Sequence, residues 1–218
     1  MSNNAFSPEE IEAVYKAIYA RRDMRHFKAG STPISDITLN KLLQAAHHAP
    51  SVGYMQPWRF IRITDSSLRA NIKTLVEEER VKTADAVNEQ KEAFLDIKIE
   101  GIDNCSDLIV VCLCDKREDY VFGRRTMPFM DLASTSCAIQ NLWLASRAEG
   151  IGMGWVSIFE PDALAQLLAL PEGASPIAIL CLGEVDSFYD KPMLETEGWD
   201  CRRNIDDLIM TNTWIERV

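Results

Sequence analysis

The sequence predicts an α+β fold, a central mixed β-sheet packed among helices. Helix-spaced and strand-like apolar segments are interspersed along the chain, without the regular βαβ alternation of a doubly wound sheet. The 218 residues suffice for one full core and not for two. No internal repeat or low-complexity linker interrupts them, so residues 1–218 are expected to form a single domain.

The elements follow in order. Ser7-Pro8-Glu9-Glu10 forms a capping box with proline at the first helical position, and Ile11, Val14, Tyr15, Ile18 and Tyr19 repeat behind it. A first helix should therefore run to about Arg21. A second follows Ser35 or Asp36, with Leu39, Leu42, Leu43 and Ala46 inward, and stops before Pro50. Arg59 to Thr64 alternates like a strand. From Val76 to Asp96 the chain is rich in Glu, Lys, Asp and Ala, with scattered Val81, Val87, Phe94 and Leu95. That composition suits a solvated helical hairpin or a lid inserted at about residues 76–100. Leu108 to Cys114 is a continuous apolar run, as expected of a strand buried on both faces. Met130 to Glu149 is a helix with small residues interleaved (Ala133, Ser134, Ser136, Ala138), which suits close packing, between subunits included; Gly150 ends it. Ile151–Ser157 and Ile177–Leu182 are two more strands, with a short helix from Asp162 to Leu170 between them.

Composition narrows the function. Against 23 basic residues stand 33 acidic ones, a net charge of −10 that excludes a general nucleic-acid or anionic-membrane binder. Met1-Ser2-Asn3-Asn4 has no basic or apolar start of a signal peptide, and no apolar run approaches the roughly 18–20 residues of a membrane span. The six cysteines (105, 112, 114, 137, 181, 201) sit mostly in apolar segments without a Cys-x-x-Cys pair, so reduced thiols in a cytoplasmic protein are expected, and no metal.

Three segments carry chemistry. Arg21-Arg22-Asp23-Met24-Arg25 sets three guanidiniums around one carboxylate, a bidentate donor set suited to phosphate or to the edge of an electron-rich heterocycle. A solvated charge cluster at a helix end is the plainer alternative. Ala49-Pro50-Ser51-Val52-Gly53-Tyr54-Met55-Gln56-Pro57-Trp58 is a proline-bracketed loop. In it Ser51 and Gln56 offer directional hydrogen bonds, Met55 an adaptable apolar face and Gly53 close backbone approach. Gly150-Ile151-Gly152-Met153-Gly154-Trp155-Val156-Ser157 is not a dinucleotide loop, because a helix precedes its glycines and a strand follows. Its glycines would let a strand run against a planar ring. Ser157 does not sit in a nucleophile elbow and has no evident base, which excludes a serine hydrolase. His47-His48 lacks metal-ligand spacing.

The order and spacing of these segments resemble the nitroreductase-like flavoproteins over nearly the whole chain. The resemblance implies an intertwined homodimer with FMN at the subunit interface. More narrowly, Asp23 in place of the usual serine, the loop Ser51-Val52-Gly53-Tyr54-Met55-Gln56-Pro57-Trp58, and residues 154–161 are similar to the 5,6-dimethylbenzimidazole synthase family. By that resemblance Arg21, Arg22 and Arg25, with Asp23 and Met24 between them, hold the phosphate and ring edge. Ser51, Met55 and Gln56 line the isoalloxazine, and Gly154 and Ser157 approach its reactive face. Arg202 or Arg203 supplies a late phosphate contact, and the segment near 76–100 is a lid. His26 belongs to neither motif and is expected to play no part.

The activity so implied is fragmentation of reduced FMN by dioxygen into 5,6-dimethylbenzimidazole, the lower ligand of cobalamin, and erythrose 4-phosphate. NAD(P)H would enter only as an indirect reductant, through a separate flavin reductase. Asp23, expected to stay ionised among its arginines, is the candidate base at the ribityl C1′, and Ser157 a hydroxyl that positions oxygen or relays a proton. The alternatives are an NAD(P)H-dependent nitro or quinone reductase with recycled FMN, and a non-catalytic flavin-binding protein.

Overall fold

A computed structural model describes residues 5–87 and 90–214. The start at Met1–Asn4 and positions 88–89 of the expected lid lie outside the described residues. Among the described residues seven helices surround a four-stranded sheet. In chain order they are α1 (Pro8–Ala20), α2 (Asp36–His47), β1 (Trp58–Ile63), α3 (Ser66–Ala86), α4 (Lys91–Asp96), β2 (Asp107–Leu113), α5 (Met130–Ala148), β3 (Gly152–Val156), α6 (Pro161–Leu167), β4 (Ser175–Gly183) and α7 (Met193–Thr196).

Local chemistry sets the helix starts. The Ser7 hydroxyl accepts from the Glu10 N–H at 3.3 Å while the Glu10 carboxylate accepts from the Ser7 N–H at 2.7 Å, the reciprocal box expected. Ser35, Asp65 and Glu160 cap α2, α3 and α6 with a single bond each, their side chains accepting from the N–H groups of Thr38, Leu68 and Ala163. Gly150 takes a left-handed φ of 75° just past α5.

The strands lie in the order β1-β2-β4-β3, and every strand pair is antiparallel. The only parallel pairing recorded among the described residues is an isolated bridge between Asp23 and Met153. The sheet is therefore antiparallel where a mixed one was expected, and the arginine segment is laid alongside its β3 edge through that one bridge. All of β2 is buried because helices cover both faces. Leu108, Val110 and Cys112 join one apolar cluster with Ile72, Val76 and Leu164 of α3 and α6; Ile109 and Val111 join the other, with Leu42, Ile139 and Leu142 of α2 and α5.

The segment expected to be a hairpin or a lid is helical. α3 turns back into α4, with Arg80 donating to the Leu95 carbonyl. Val76 and Phe94 are buried while Val81 faces out. Helix α1 differs from an ordinary surface helix. None of its residues is buried, and Val14, Tyr15 and Tyr19 are each more than half exposed despite their helical spacing. Among the described residues no helix is long and apolar enough to cross a membrane.

Candidate active site

After α1 the backbone turns extended at Arg21 and runs along the edge of β3. The Met24 N–H donates to the Met153 carbonyl at 2.9 Å. The Trp143 indole of α5 donates to the carbonyls of Arg22 (3.2 Å) and Met153 (3.1 Å), pinning strand and segment together. A Cβ on Gly154 would fall 2.3 Å from the Met24 carbonyl oxygen. The glycine is therefore needed by the arginine segment itself, where the sequence suggested a planar ring. Met24, expected at the cofactor, is fully buried, and its side chain packs in the core with Phe27 and Val156.

Asp23 is held from two sides. Its Oδ1 accepts from the Trp155 N–H at 2.9 Å, and its Oδ2 from Arg25 Nη2 at 2.5 Å. Arg25, 8% exposed, also donates to the Trp155 carbonyl at 2.7 Å. Burial pushes the Asp23 carboxyl above its ordinary range, against the lowering influence of Arg25, the Trp155 N–H and Arg21. The direction is opposite to the one the arginines alone would impose, because desolvation is the larger influence. The side chain remains 41% exposed, but it lines concave cavities, where a charge is solvated far less well than in open water.

Two cavities meet at this carboxylate. One, of about 220 Å³, has Asp23, Arg25 and Ser157 as its polar lining, under an apolar roof of Phe94, Ile97 and Ile99 after the hairpin and Met193, Leu194 and Trp199 near the C-terminus. Phe94 and Trp199 rings pack at 6.3 Å, joining the two halves of that roof. The other, of about 270 Å³, is lined by Arg21, Arg22 and Arg202, with Asp23, Pro192, Met193 and Leu194. Arg202, not Arg203, faces the other two arginines. Burial and the nearby charges of Arg22 and Arg202 depress the Arg21 pKa, with Asp23 the one opposing influence.

The donors left over describe what fits. Arg22 is largely committed, giving Nη1 to the carbonyls of Tyr19 and Arg21 and Nη2 to that of Asp190, each at 2.7 Å. Buried Nε of Arg22, and Nε and Nη1 of Arg25, have no partner. Crowded cations beside one cavity and orphaned guanidinium donors near the other suit a ligand with an anionic tail and an acceptor-edged head, as FMN has.

The loop at residues 51–56 is not brought to Asp23 within one chain. Met55 and Gln56 line a separate groove of about 520 Å³ with Leu43, His47, Trp58 and Phe60. Ser51 Oγ accepts from the Gln56 N–H at 3.1 Å, closing a turn in which Tyr54 (φ 55°) and Gln56 (φ 51°) are both left-handed. Such strain in non-glycine residues is kept where the surroundings hold it, here by the Ser134 hydroxyl accepting from the Val52 N–H. The assembled apolar roof and Tyr189, which lies beside the arginine segment, were not legible in the sequence. Met193, Leu194 and Tyr189 had no signal but position shortly before Arg202, whereas Phe94, Ile97 and Ile99 lie in the segment expected to be a lid.

The nitroreductase family model matches residues 18–184. The chain belongs to the nitroreductase family. Within the family it groups with the 5,6-dimethylbenzimidazole synthases. It is 36% identical to the Rhodobacter capsulatus enzyme of that name over 196 residues, covering 89% of this chain and 94% of the relative. With the Rhodospirillum rubrum enzyme it shares 35% over 201 residues, covering 91% and 94%. The nitroreductase fold is also that of solved structures at lower identity. A Vibrio harveyi NADPH:FMN oxidoreductase complexed with NAD+ matches at TM-score 0.69 and 20% identity, covering 94% of this chain and 80% of that one. An iodotyrosine deiodinase bound to FMN and 3-iodo-L-tyrosine matches at TM-score 0.72 and 20% identity, covering 93% and 100%.

Proposed function

We propose that this enzyme fragments reduced FMN with dioxygen to 5,6-dimethylbenzimidazole and erythrose 4-phosphate, with the pyrimidine part of the ring leaving as a separate fragment, and that it works as a homodimer in the cytoplasm. The observation that carries the reading is that Asp23 is the one titratable side chain lining both the arginine cavity and the Ser157 cavity among the described residues. A ligand with its phosphate among Arg21, Arg22 and Arg202 and its ring beside Ser157 must pass its connecting chain by that carboxylate. In FMN the connecting chain is ribityl, and C1′ is its first carbon from the ring. Bound reduced FMN would supply the electrons that activate dioxygen and the carbon skeleton of the product.

The chain's own residues divide the remaining work. Arg21 and Arg202 hold the phosphate, with Arg22 Nε a further donor. Arg25 Nε and Nη1 meet the ring edge. Asp23 accepts the proton from C1′; a carboxylate made more basic by burial, yet held in place by Arg25, suits that task. The Ser157 hydroxyl positions oxygen or relays a proton at the ring. Phe94, Ile97, Ile99, Met193, Leu194 and Trp199 keep water out, with the hairpin as the lid. Reduced FMN arrives from a separate NAD(P)H-dependent flavin reductase. A second copy supplies the loop with Ser51, Met55 and Gln56, and it covers the exposed face of α1. The free thiols at all six cysteines suit a reducing compartment.

The test is the Asp23→Asn enzyme mixed with chemically reduced FMN in air. The reading requires flavin binding near that of the parent protein and no benzimidazole. Benzimidazole at the parent level would remove Asp23 from the reaction.

A further inference from the structure

Tyr189, between β4 and α7, places its hydroxyl against three nitrogens of the arginine segment. The main-chain N–H groups of Arg25 and His26 each lie 3.1 Å away, and His26 Nδ1 lies at 2.7 Å. A phenol has one proton and two acceptor positions. Main-chain N–H groups can only donate, so Arg25 and His26 fill both acceptor positions. The phenolic proton is left for Nδ1, which places the imidazole proton of His26 on Nε2. Every hydrogen-bonding position of the hydroxyl is then used.

We infer that Tyr189 is a positioning residue for the Asp23–Arg25 pair, with His26 fixing the direction of its hydroxyl. The inference rests on the reading that Asp23 acts as the base. Tyr189 lines neither of the two cavities that meet at Asp23; with His26, Lys191 and Glu197 it faces a third, of about 460 Å³, across Met193. It therefore acts through Arg25. The segment is tied to β3 by the Met24 N–H on one side and to Tyr189 by the next two N–H groups on the other. Between these ties projects the guanidinium that holds Asp23 at 2.5 Å. Without the hydroxyl, two N–H groups lose their acceptor, and on that side only the Arg22–Asp190 and Lys28–Glu184 bonds at either end still hold the segment.

The experiment compares Tyr189→Phe, His26→Asn and His26→Leu with the parent chain. Three quantities are read: the His26 tautomer by ¹⁵N NMR of the ligand-free protein, the affinity for oxidised FMN, and benzimidazole formed per reduced FMN consumed in air. The parent should show protonated Nε2 and an Nδ1 whose ¹⁵N shift is that of a hydrogen-bond acceptor, and Tyr189→Phe should lose the hydrogen-bond shift at Nδ1 while keeping the Nε2–H tautomer that free imidazole favours. Tyr189→Phe should bind FMN within about threefold of the parent but yield roughly ten- to a hundredfold less benzimidazole per flavin, the rest returning as oxidised FMN. His26→Asn, whose carboxamide oxygen can take the phenolic proton, should stay within about threefold of the parent, while His26→Leu follows Tyr189→Phe. Parent-like product yield in Tyr189→Phe, or a proton on Nδ1 in the parent, would overturn the inference. His26 is exposed, so its two variants decide the matter if Tyr189→Phe does not fold, and equal yields from them would also overturn it. A parent chain that forms no benzimidazole would instead sink the proposed function, and the change in the Nδ1 shift on Tyr189→Phe would still decide the clamp.

Discussion

At Asp23 two opposed influences meet, and burial outweighs the cations. The sign has consequences for both stability and rate. A carboxyl whose folded pKa lies above its unfolded value holds its proton more tightly in the folded chain, so its contribution disfavours folding progressively as pH rises between the two values. Asp23→Asn removes that contribution. The melting temperature of the variant minus that of the parent should thus be more positive at about pH 7 than at about pH 4. A difference independent of pH would mean that the carboxyl is not shifted upward. For rate, the base works only when deprotonated. Arg25 lowers the Asp23 pKa, so Arg25→Gln should move the acid limb of benzimidazole formation to higher pH in a pH–rate profile. An acid limb that stays in place would separate Asp23 from the titration.

Among the elements, β3 shows how the segments lock together. Gly154→Ala puts a methyl 2.3 Å from the Met24 carbonyl, a contact made by backbone and hence unable to swing away. The substitution should cost about 1–3 kcal/mol in urea unfolding, as overpacking does, and displace Asp23 with it. Unchanged stability would mean that the segment lies free of β3. The sequence showed the glycine's importance but not its reason, because the carbonyl it accommodates comes from 130 residues earlier in the chain. Elements fixed by neighbours in sequence were legible: the capping box of α1, the doubly buried β2 and the glycine stop after α5. The arginines and Asp23 were legible too, as a local cluster of charge. Met193, Leu194 and the Tyr189 hydroxyl were not, since each acquires its role through contacts distant in sequence, while Phe94 was legible only as part of a possible lid. The choice between Arg202 and Arg203 likewise waited on which one the fold turned toward Arg21.

For the molecule as a whole, α1 presents an apolar face that its own chain leaves uncovered, and the loop at residues 51–56 lies in a groove apart from Asp23. Both features are explained together if a second copy covers the helix and exchanges loops. Val14→Glu, at a side chain 54% exposed in the single chain, should then yield a monomer in analytical ultracentrifugation and weaken FMN binding by tenfold or more, on the order of a lost buried contact set. A dimer with undiminished FMN affinity would assign that face some other role.

The central claim is that flavin is consumed and that its ribityl C1′ becomes the carbon bridging the benzimidazole nitrogens. The most direct measurement is one aerobic turnover with reduced FMN carrying ¹³C at C1′, followed by chromatography with mass and NMR detection. Loss of flavin should be matched by 5,6-dimethylbenzimidazole with the label at the bridging carbon. Full recovery of labelled, oxidised FMN with no benzimidazole would contradict that claim and favour a nitro or quinone reductase with recycled FMN.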